Sequence, residues 1–454
     1  MLRNYYLFPM VDSKPKLNLF DFTMIMVSFV IGMGIFRTPV NVAAASPTPA
    51  VFFAAWIAGG LIALCGALTY AEIGSRFPVT GGYYKIFSYA YHPSIAFAVN
   101  CIILISNAAS LAGVALIGAE YITRVIMPDT ANSENIRIII AISSILLFYG
   151  VNLLGLKMSA RTQNVLTIIK ISMILLLITP LFFAAPQHVP NIVSTIDPTM
   201  MEYIKAFGIG LIAVSFTYGG YQQTINFGEE VKEPAKNIPR GIFMGIFIII
   251  VLYLSINYAY YKIIGFESLK TSEGIAAIMA SHIFGAAAGN ILSVFLFLSV
   301  LAYVNVLLMS NPRVMQAMSE EGVLPIAFGK RTINTNVLLT SLSVFAAMCA
   351  LIVFWAKSFD EILSFTIFLD CFGMVLSAAT IFILRRRTKH LDGTGIYKMK
   401  LFPLMPVIFI LAYIFVAISI FVDKPYTALT GLGILAAFIV LYFIVKRGRN
   451  NTNS

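Results

Sequence analysis

Residues 30–39 read Val-Ile-Gly-Met-Gly-Ile-Phe-Arg-Thr-Pro, and they lie inside an apolar run long enough to cross a membrane. Two glycines within three positions each remove about 1 kcal/mol of helix preference relative to alanine, and they allow backbone angles that other residues avoid. A second such stretch, Ser-Phe-Thr-Tyr-Gly-Gly-Tyr at 215–221, lies inside a later run. Glycine also lets membrane helices pack closely, so neither stretch decides the fold alone. The positions of the two stretches, in the first and sixth apolar runs, favour a functional role over close packing.

The composition places the chain in a membrane. Of its 454 residues, 59% are hydrophobic and 11% are charged, and the mean hydropathy is +0.88. A soluble domain averages about 45–50% apolar and roughly 25% charged residues, so a soluble enzyme, a disordered chain and a nucleic-acid-binding protein are excluded. The pattern predicts an all-α membrane protein with twelve transmembrane helices, at residues 20–44, 49–72, 93–126, 136–156, 162–184, 203–228, 240–264, 284–312, 336–355, 359–384, 402–422 and 426–446.

The distribution of lysine and arginine predicts the orientation, because these residues accumulate in cytoplasmic loops. Of the 31 such residues, 22 fall on the side that holds the N-terminus, seven fall on the other side, and Arg37 and Lys170 lie inside runs. We therefore expect a multi-pass protein of the plasma membrane with both termini in the cytoplasm. The net charge of +11 is then a topology signal, and it requires no nucleic acid partner.

The two glycine stretches fall in the first and sixth runs, which are equivalent elements if runs 1–5 and 6–10 are inverted repeats. Paired broken helices in matching positions indicate a transporter site. The N-terminus of a half-helix offers N–H groups to a carboxylate, and freed carbonyls accept from an ammonium group. We expect a zwitterion to have its carboxylate bound by Gly32, Met33 and Gly34. Its ammonium should meet carbonyls of Ile31 and of the second break, which comprises Phe216, Thr217, Tyr218, Gly219 and Gly220.

Four segments carry a family resemblance. They read Val-Ile-Gly-Met-Gly-Ile-Phe at 30–36, Tyr-Ala-Glu-Ile-Gly-Ser-Arg-Phe-Pro-Val-Thr-Gly-Gly at 70–82, Phe-Thr-Tyr-Gly-Gly-Tyr-Gln at 216–222 running into Asn-Phe-Gly-Glu-Glu-Val-Lys-Glu-Pro-Ala-Lys-Asn-Ile-Pro-Arg at 226–240, and Glu-Glu-Gly-Val-Leu-Pro at 320–325. The segment at 30–36 is similar to an Ile-Gly-Ser-Gly-Ile-Phe motif of the first helix. The segment at 70–82 is similar to the family's loop after the second helix, the segment at 216–240 to the signature in and after the sixth helix, and the segment at 320–325 to the loop after the eighth helix. At these residues the chain resembles the amino acid–polyamine–organocation superfamily, and most of all its L-type amino acid transporter branch.

The resemblance implies a LeuT-type fold, which is a five-plus-five inverted repeat with two additional C-terminal helices. It also implies alternating access and the uptake or exchange of L-amino acids, with Phe216 as an aromatic gate over bound substrate. The expected divisions are a cytoplasmic N-terminal segment 1–19, a first repeat 20–184, an external loop 185–202, a second repeat 203–384, a basic cytoplasmic loop 385–401, two further helices 402–446 and a cytoplasmic tail 447–454.

The chain departs from the family pattern at two places. Eukaryotic L-type members are linked to a glycoprotein through a cysteine in an external loop, and the corresponding segment 127–135 contains no cysteine. We therefore expect no disulfide-linked heavy-chain partner. Met33 replaces a serine of the first-helix motif, so backbone contacts survive there but a side-chain hydrogen bond to substrate does not.

Lys170 lies about eight residues into the fifth run, roughly 12 Å from its cytoplasmic start. A charge near the bilayer centre costs at least about 2.5–3.5 kcal/mol, so it calls for a reason. By the resemblance, Lys170 matches the lysine of sodium-independent members, whose ammonium takes the place of a sodium ion between the first and eighth helices. A lysine that extends along lipid to the interface is the alternative. We expect sodium-independent transport, and proton coupling through Lys170 is a second hypothesis.

Other polar side chains inside the runs allow two interpretations each. Arg37 could line an external vestibule or form an ion pair with Glu120 or Asp370. Pocket lining or hydrogen bonds between helices could explain Asn107, Ser299 and Asn305. Salt-bridged inner gates or solvated loop charges could explain the acidic residues at the predicted cytoplasmic ends, which are Glu72, Glu229 and Glu230 beside Arg76, Lys232 and Arg240.

No cofactor or metal is expected. The four cysteines lie in apolar runs without zinc or disulfide spacing, and the histidines form no His-x-x-x-His pair. A phosphate-binding Gly-Lys-Ser/Thr loop, a cluster of ionisable residues for a membrane enzyme and the charge ring or filter loop of a channel are absent from the sequence. The alternative to an amino acid carrier is a carrier of another small amine or amine conjugate. The lack of an obvious unpaired acid facing the breaks favours neutral amino acids, while exchange, uniport and proton symport stay open.

Overall fold

The computed structural model describes residues 16–128, 134–184, 199–272, 274–355, 359–393, 395–423 and 425–452. Within those ranges the chain is helical, and the β pairings are two isolated bridges, Leu17 with Val231 and Thr80 with Phe227. The all-helical fold class is confirmed for these ranges. Features predicted for residues 1–15, and parts of the external loops at 129–133 and 185–198, lie outside the described residues.

The first half of the chain forms seven α-helices. The first predicted span is divided in two, and the others follow in order as α1 (Leu19–Val30), α2 (Thr38–Ala45), α3 (Pro49–Arg76), α4 (Gly82–Ala90), α5 (Pro93–Ile126), α6 (Glu134–Leu153) and α7 (Leu156–Ile178). The second half continues with α8 (Met200–Tyr218), α9 (Pro234–Ile264), α10 (Phe266–Thr271), α11 (Ile275–Phe284), α12 (Ala288–Glu320), α13 (Leu339–Trp355), α14 (Phe359–Arg387), α15 (Leu404–Asp423) and α16 (Pro425–Thr452).

Nine helical segments of the described chain are long and apolar enough to cross a membrane. The longest are α5 and α12, with 34 and 33 residues. At 1.5 Å per residue each is about 50 Å long. A hydrocarbon core is roughly 30 Å thick, so both helices must tilt or project from it. The same conclusion follows from the excess length of the third and eighth apolar runs.

Helix starts follow from local sequence. At α1, the Asn18 side chain accepts from the Asp21 N–H and the Asp21 side chain accepts from the Asn18 N–H. Thr199 and Glu202 form the same reciprocal capping box at α8. Such a box satisfies two N–H groups that a helix start would otherwise leave without acceptors.

The hydropathy pattern misses three short helices that lie between the long ones. It treats 73–92 and 265–283 as loops or span ends, whereas the structure contains α4 in the first region and α10 and α11 in the second. A helix of six to ten residues is too short to appear as an apolar run of spanning length. The observed starts of α7 and α9 also precede the predicted ones by six residues each, because polar first turns continue the helix.

The two interrupted runs lie at the centre of the bundle. α1 packs against α7 and α9, while α8 packs against α2, α3 and α15. Exposed apolar side chains lie on the outer helices, and among them are Leu351, Phe354, Leu411, Ile418 and Val422. In water such surfaces would be unfavourable, so they indicate contact with lipid. The described helices therefore form a multi-span membrane protein.

Candidate functional site

The first interruption lies between α1 and α2. α1 ends at Val30, Ile31 is extended at φ −73° and ψ 93°, and a short 3-10 helix occupies Gly34–Phe36. The N–H groups of Gly32, Met33 and Gly34 have no hydrogen-bond acceptor among the described residues. Three successive N–H groups without protein partners, at the N-terminal end of a half-helix, form an arrangement suited to an anion.

The second interruption follows α8. α8 ends at Tyr218, and Gly220 adopts φ +110° before a 3-10 helix at Tyr221–Asn226. The Gly219 N–H donates to the Phe216 carbonyl at 3.2 Å, and the Gly220 N–H donates to Gln222 Oε1 at 2.9 Å. The C-terminal end of α8 therefore points carbonyl groups, with their partial negative charge, at the break.

The two interruptions are in direct contact. A Cβ atom built on Gly220 would lie 2.5 Å from the Phe29 carbonyl oxygen, and one on Gly34 would lie 3.0 Å from Thr217 Oγ1. The Tyr253 hydroxyl lies 3.0 Å from the Val30 oxygen and 3.3 Å from the Thr217 oxygen, so it joins the two helix ends. At Gly220 the positive φ and the close backbone approach both require glycine.

A cavity of about 90 Å³ lies where the interruptions cross. Roughly 10–15 Å³ of such volume holds one water, so the cavity has room for a small polar molecule. The predicted residues in its wall are Gly32, Met33, Gly34, Asn107, Phe216, Thr217, Gly219, Gly220 and Asp370. The wall does not include these other predicted residues: Ile31, Arg37, Glu120, Lys170, Tyr218, Ser299 and Asn305.

Several wall residues were missed from the sequence. They are Phe29, Val30, Ser110, Val114, Ser215, Gln222, Gln223, Tyr303, Met374 and Tyr413. Helical spacing could have found three of them, because Ser110 and Val114 follow Asn107 by three and seven residues and Met374 follows Asp370 by four. Nothing in the sequence singles out Tyr303 or Tyr413, since both are aromatic residues within apolar runs.

Lys170 is fully buried on α7 and lies against the end of α1. Its Nζ donates to the Ile31 carbonyl at 2.5 Å and to Ser28 Oγ at 3.4 Å. Ser28 Oγ in turn donates to the Ala302 carbonyl of α12 at 3.4 Å. Lys170 therefore hydrogen-bonds directly to the first helix, and Ser28 carries the hydrogen-bond chain on to the eighth span. Lys170 therefore also donates to the Ile31 carbonyl, the group that the sequence predicts as an acceptor for the substrate ammonium.

Two of the predicted pocket residues, Asn305 and Ser299, lie outside the cavity wall. Asn305 is buried and donates to Gln163 Oε1 at 2.7 Å, while it accepts from Asn152 Nδ2 at 2.9 Å. It thereby links α12 to α6 and α7. Ser299 is also buried away from the cavity, and its hydroxyl has no hydrogen-bond partner in the described chain. The helix-connecting interpretation holds for Asn305, and neither residue lines the cavity.

The three charged candidates occupy different surroundings. Arg37 is exposed at the start of α2. Glu120 pairs with Arg124 at 2.5 Å and with Arg137 at 3.9 Å, outside the cavity. Asp370 lines the cavity, and within the described residues it forms no hydrogen bond or ion pair. The premise that no unpaired acid faces the breaks is therefore wrong, since sequence order does not show that α14 turns Asp370 towards α1 and α8.

Successive layers of polar side chains, beginning with two residues of the cavity wall, connect α12 with the segment after α8. Asn107 and Gln223 exchange two hydrogen bonds at 3.2 and 3.0 Å, and Asn107 also donates to Asn311 at 2.7 Å. In the next layer Asn226 donates to Ser310 Oγ at 3.0 Å. These contacts lie towards the side of the molecule that carries the C-terminal end of α12.

We call that side the basic face, and it is defined by Arg76, Arg313, Arg331 and Arg385. Glu230 is buried there between Arg313 at 2.5 Å and Arg331 at 3.3 Å. Burial alone would raise the pKa of Glu230, but the charge and hydrogen bonds of Arg313 and then Arg331 outweigh it and hold that pKa below its usual value. Through these pairs Glu230 links the segment after α8 to α12 and to Arg331.

A second ionic cluster on the basic face surrounds Glu72. This carboxylate is fully buried and pairs with Arg76 at 2.7 Å and Arg385 at 2.6 Å, and it accepts from the Met399 N–H at 2.9 Å. Arg76 also bonds Asp392, and that hydrogen bond is the main reason that the pKa of Asp392 falls to about 2. Glu72 and Glu230 are therefore not solvated loop charges. Glu72 pairs with its expected neighbour Arg76, but Arg385, Arg313 and Arg331 are distant in the chain from the glutamates they contact.

Comparisons with known proteins agree with this geometry. The family model described as amino acid permease matches residues 17–445. The serine/threonine exchanger SteT of Bacillus subtilis (strain 168) is 28% identical over 96% of this chain and 98% of its own length. The large neutral amino acids transporter small subunit 2 of Homo sapiens is 25% identical over 96% of this chain and 81% of its own, and the Asc-type amino acid transporter 1 of Mus musculus is 23% identical over 96% and 82%. This chain belongs to the amino acid permease family of the amino acid–polyamine–organocation superfamily, and it is an amino acid transporter.

Proposed function

We propose that this chain is a sodium-independent secondary transporter of neutral L-amino acids, which works as an exchanger or a proton-linked carrier by alternating access. The observation that carries the proposal is the crossing of the two helix interruptions around one cavity. On one side, three N–H groups at Gly32, Met33 and Gly34 lack protein acceptors. On the other, α8 ends with its carbonyl groups directed at the same place. This is a pair of opposite partial charges that matches a zwitterion.

The bound amino acid would lie with its carboxylate on the N–H groups after α1. Its ammonium would meet the carbonyls at the end of α8, from Phe216 to Gly219. The Phe216 and Thr217 carbonyls each accept one hydrogen bond from the protein, and a carbonyl oxygen has a second lone pair to offer. The Ile31 carbonyl contributes to this site indirectly, because Lys170 fixes its position.

The proposed architecture has twelve spans, with residues 20–184 and 203–384 as inverted repeats and 402–446 as two added helices. Support comes from the breaks, which fall in the first and sixth spans counted along the chain. The bias of lysine and arginine supports cytoplasmic termini and a cytoplasmic basic face in the plasma membrane. The same bias supports the proposal that 1–19, 385–401 and 447–454 are cytoplasmic and that 185–202 is external.

Alternating access requires one closure on each side of the cavity. On the external side, Phe216 is the proposed gate, and it lies half-buried in the cavity wall. On the cytoplasmic side, the Asn107–Gln223 pair, the Asn226–Ser310 bond and the Glu230–Arg313 pair lie one behind another. Release into the cytoplasm would break these three layers in turn.

Sodium independence rests on Lys170. Its ammonium is hydrogen-bonded to the Ile31 carbonyl and Ser28 Oγ. A bound cation would need the same oxygen atoms, and the fixed positive charge of Lys170 would repel it. Neutral substrates are supported by the relatives, since one is named a serine/threonine exchanger and another a large neutral amino acids transporter. A disulfide-linked heavy chain is not part of the proposal.

The test is uptake of radiolabelled neutral L-amino acids into proteoliposomes, with sodium and pH gradients varied independently. We expect uptake that depends on an amino acid inside the vesicle or on a proton gradient and stays unchanged when choline replaces sodium. An absolute requirement for sodium would contradict the role of Lys170. Unchanged transport by Lys170→Ala across pH would remove proton coupling through this residue. Uptake of other small amines but of no amino acid would contradict the proposed substrate.

A further inference from the structure

Asp370 is the acidic side chain in the wall of the central cavity, and the proposed zwitterion contacts do not use it. It projects from α14 into the space that is bounded by Gly32, Met33 and Gly34 on α1's side and by Phe216 to Gly220 on α8's side. Within the described chain it forms no hydrogen bond or ion pair. A carboxylate inside a membrane bundle costs free energy, so one without a protein partner is expected to have a functional one.

Several polar side chains of the cavity wall are already hydrogen-bonded to protein partners. Ser110 Oγ and the Tyr303 hydroxyl are 2.9 Å apart and hydrogen-bonded. The Asn107 amide is shared between Gln223 and Asn311. The carboxylate of Asp370 therefore keeps its capacity to accept hydrogen bonds from a molecule in the cavity. A substrate group directed at it should carry a donor.

The net charge of the membrane interior favours a neutral over a cationic hydrogen-bond donor on the substrate side chain. Lys170, which is buried beside the end of α1, and Asp370 carry opposite formal charges and do not pair with each other. A zwitterionic substrate leaves their sum at zero, whereas a cationic amino acid adds a net positive charge to the membrane interior. A net charge there is unfavourable. A neutral donor such as a hydroxyl group satisfies Asp370 without this penalty.

We infer that Asp370 is a specificity-determining residue, whose carboxylate accepts a hydrogen bond from the side-chain hydroxyl of the substrate. The inference rests on the proposed function, and it narrows the substrate class to hydroxyl-bearing neutral L-amino acids. L-threonine is favoured over L-valine, which has nearly the same shape but lacks the donor. A site built to hydrogen-bond a hydroxyl group rejects the analogue without it, because its own polar group is then left unpaired.

The test is competition by L-threonine, L-valine and L-lysine against uptake of radiolabelled L-threonine into proteoliposomes. For the unmodified protein we expect L-threonine to inhibit at roughly 10- to 100-fold lower concentration than L-valine, which corresponds to one hydrogen bond to a charged group. L-lysine should inhibit more weakly than L-threonine. Uptake of radiolabelled L-valine should be measured in parallel, so that a change of preference is detected with either amino acid as the transported substrate.

The variant Asp370→Leu keeps a similar size and removes the acceptor, so the preference for L-threonine should disappear or reverse while L-valine uptake remains. Asp370→Asn keeps one acceptor oxygen without the charge, and it should retain part of the preference even if the leucine variant does not fold. Glu267→Gln is the matched control, because Glu267 pairs with Lys270 outside the cavity. The control should keep the full preference.

Three results would overturn the inference: equal inhibition by L-threonine and L-valine in the unmodified protein, stronger inhibition by L-lysine than by L-threonine, or an unchanged preference in the folded leucine and asparagine variants. Each of these is compatible with transport of neutral amino acids. The absence of all amino acid uptake would instead contradict the proposed function. The two failures are therefore distinguishable.

Discussion

Buried carboxylates at the basic face are paired with arginines, whereas the buried charges at the centre of the molecule have no counter-ion within the described residues. At the basic face, Glu230 lies between Arg313 and Arg331, and Glu72 lies between Arg76 and Arg385. At the centre, Lys170 donates to a backbone carbonyl and to Ser28, and Asp370 has no hydrogen bond within the described residues.

This difference distinguishes buried charges that stabilise the fold from buried charges that are available for function. A buried charge that has its counter-ion holds two elements together, and the pair can be broken only at a cost. A buried charge without a counter-ion is available to a substrate or a coupling ion, and inside a membrane it marks a functional site. We therefore propose that the basic face serves as a closure and that the centre serves as a binding site. The predictions below test whether the two regions respond differently to substitution.

The largest effect is expected at the crossing of the helix ends. In Gly220→Ala the new Cβ would lie 2.5 Å from the Phe29 carbonyl oxygen at a residue with φ +110°. The two ends would have to separate, so transport should fall by about 100-fold or more, with a loss of folding stability of roughly 1–3 kcal/mol from backbone strain. Proteoliposome uptake and thermal unfolding in detergent measure both quantities.

The matched control for this prediction is Gly150→Ala. Gly150 lies within α6, and a Cβ there would have no atom within 4 Å. Uptake should be unchanged and stability equal or slightly higher, since alanine favours helix. If both variants transport at the normal rate, the close crossing is not required for function.

The next effect is expected at the basic face. Glu230→Gln leaves Arg313 buried without a counter-ion, and breaking a buried pair in this way costs roughly 3–5 kcal/mol. The segment after α8 should loosen, so hydrogen exchange of 221–230 should become faster and the unfolding temperature should fall. Lys236→Gln removes one partner of an exposed pair, in which the side chains are 63% and 69% exposed, and should change stability by less than about 0.5 kcal/mol. Equal effects of the two substitutions would refute the closing role of Glu230.

A smaller and more specific effect is expected at Gly32. A Cβ on this residue meets no atom within 4 Å, although Gly32 lines the cavity. Gly32→Ala should therefore fold normally and place a methyl group where the substrate carboxylate lies. We expect KM to rise about tenfold, which equals roughly 1.4 kcal/mol of binding energy. An unchanged KM would place the substrate elsewhere in the cavity.

The smallest effect is the pH dependence of stability through Glu230. The pKa of this residue is lower in the folded protein than its usual value of 4.5. Its stabilising contribution is therefore complete above pH 4.5 and is lost as the pH falls through the lower folded value. The unfolding temperature should fall below pH 4.5 by more in the unmodified protein than in Glu230→Gln. Parallel pH profiles would show that the ion pair does not contribute.

The helical layout was predictable because hydropathy records how each residue meets lipid. The helical fold class, the two interruptions at the glycine stretches and the burial of Lys170 follow from the sequence. The count of twelve spans and the role of the Gly32, Met33 and Gly34 N–H groups stay predictions. Membrane physics makes these signals strong, since a spanning segment must satisfy its own backbone and an intramembrane charge is rare.

The wall of the cavity was only partly predictable, because it depends on which helix faces are turned inwards. Asn305 and Asn107 are both amides inside apolar runs, yet Asn305 connects α6, α7 and α12 while Asn107 lines the cavity. Hydropathy does not distinguish them. The sequence offers Asp370 only as one of two candidate ion-pair partners for Arg37, because it does not show the rotation of α14. Arg76 is the partner of Glu72 that the sequence suggests, but Arg385 at Glu72 and Arg313 at Glu230 were missed because they are remote in sequence.

Cryo-electron microscopy of the protein with saturating L-threonine tests the central claim most directly. We predict density for one molecule at the crossing, with its carboxylate within hydrogen-bonding distance of the Gly32, Met33 or Gly34 N–H and its ammonium at the carbonyl end of α8. Density at another place, or α1 and α2 joined as one continuous helix, would contradict the account.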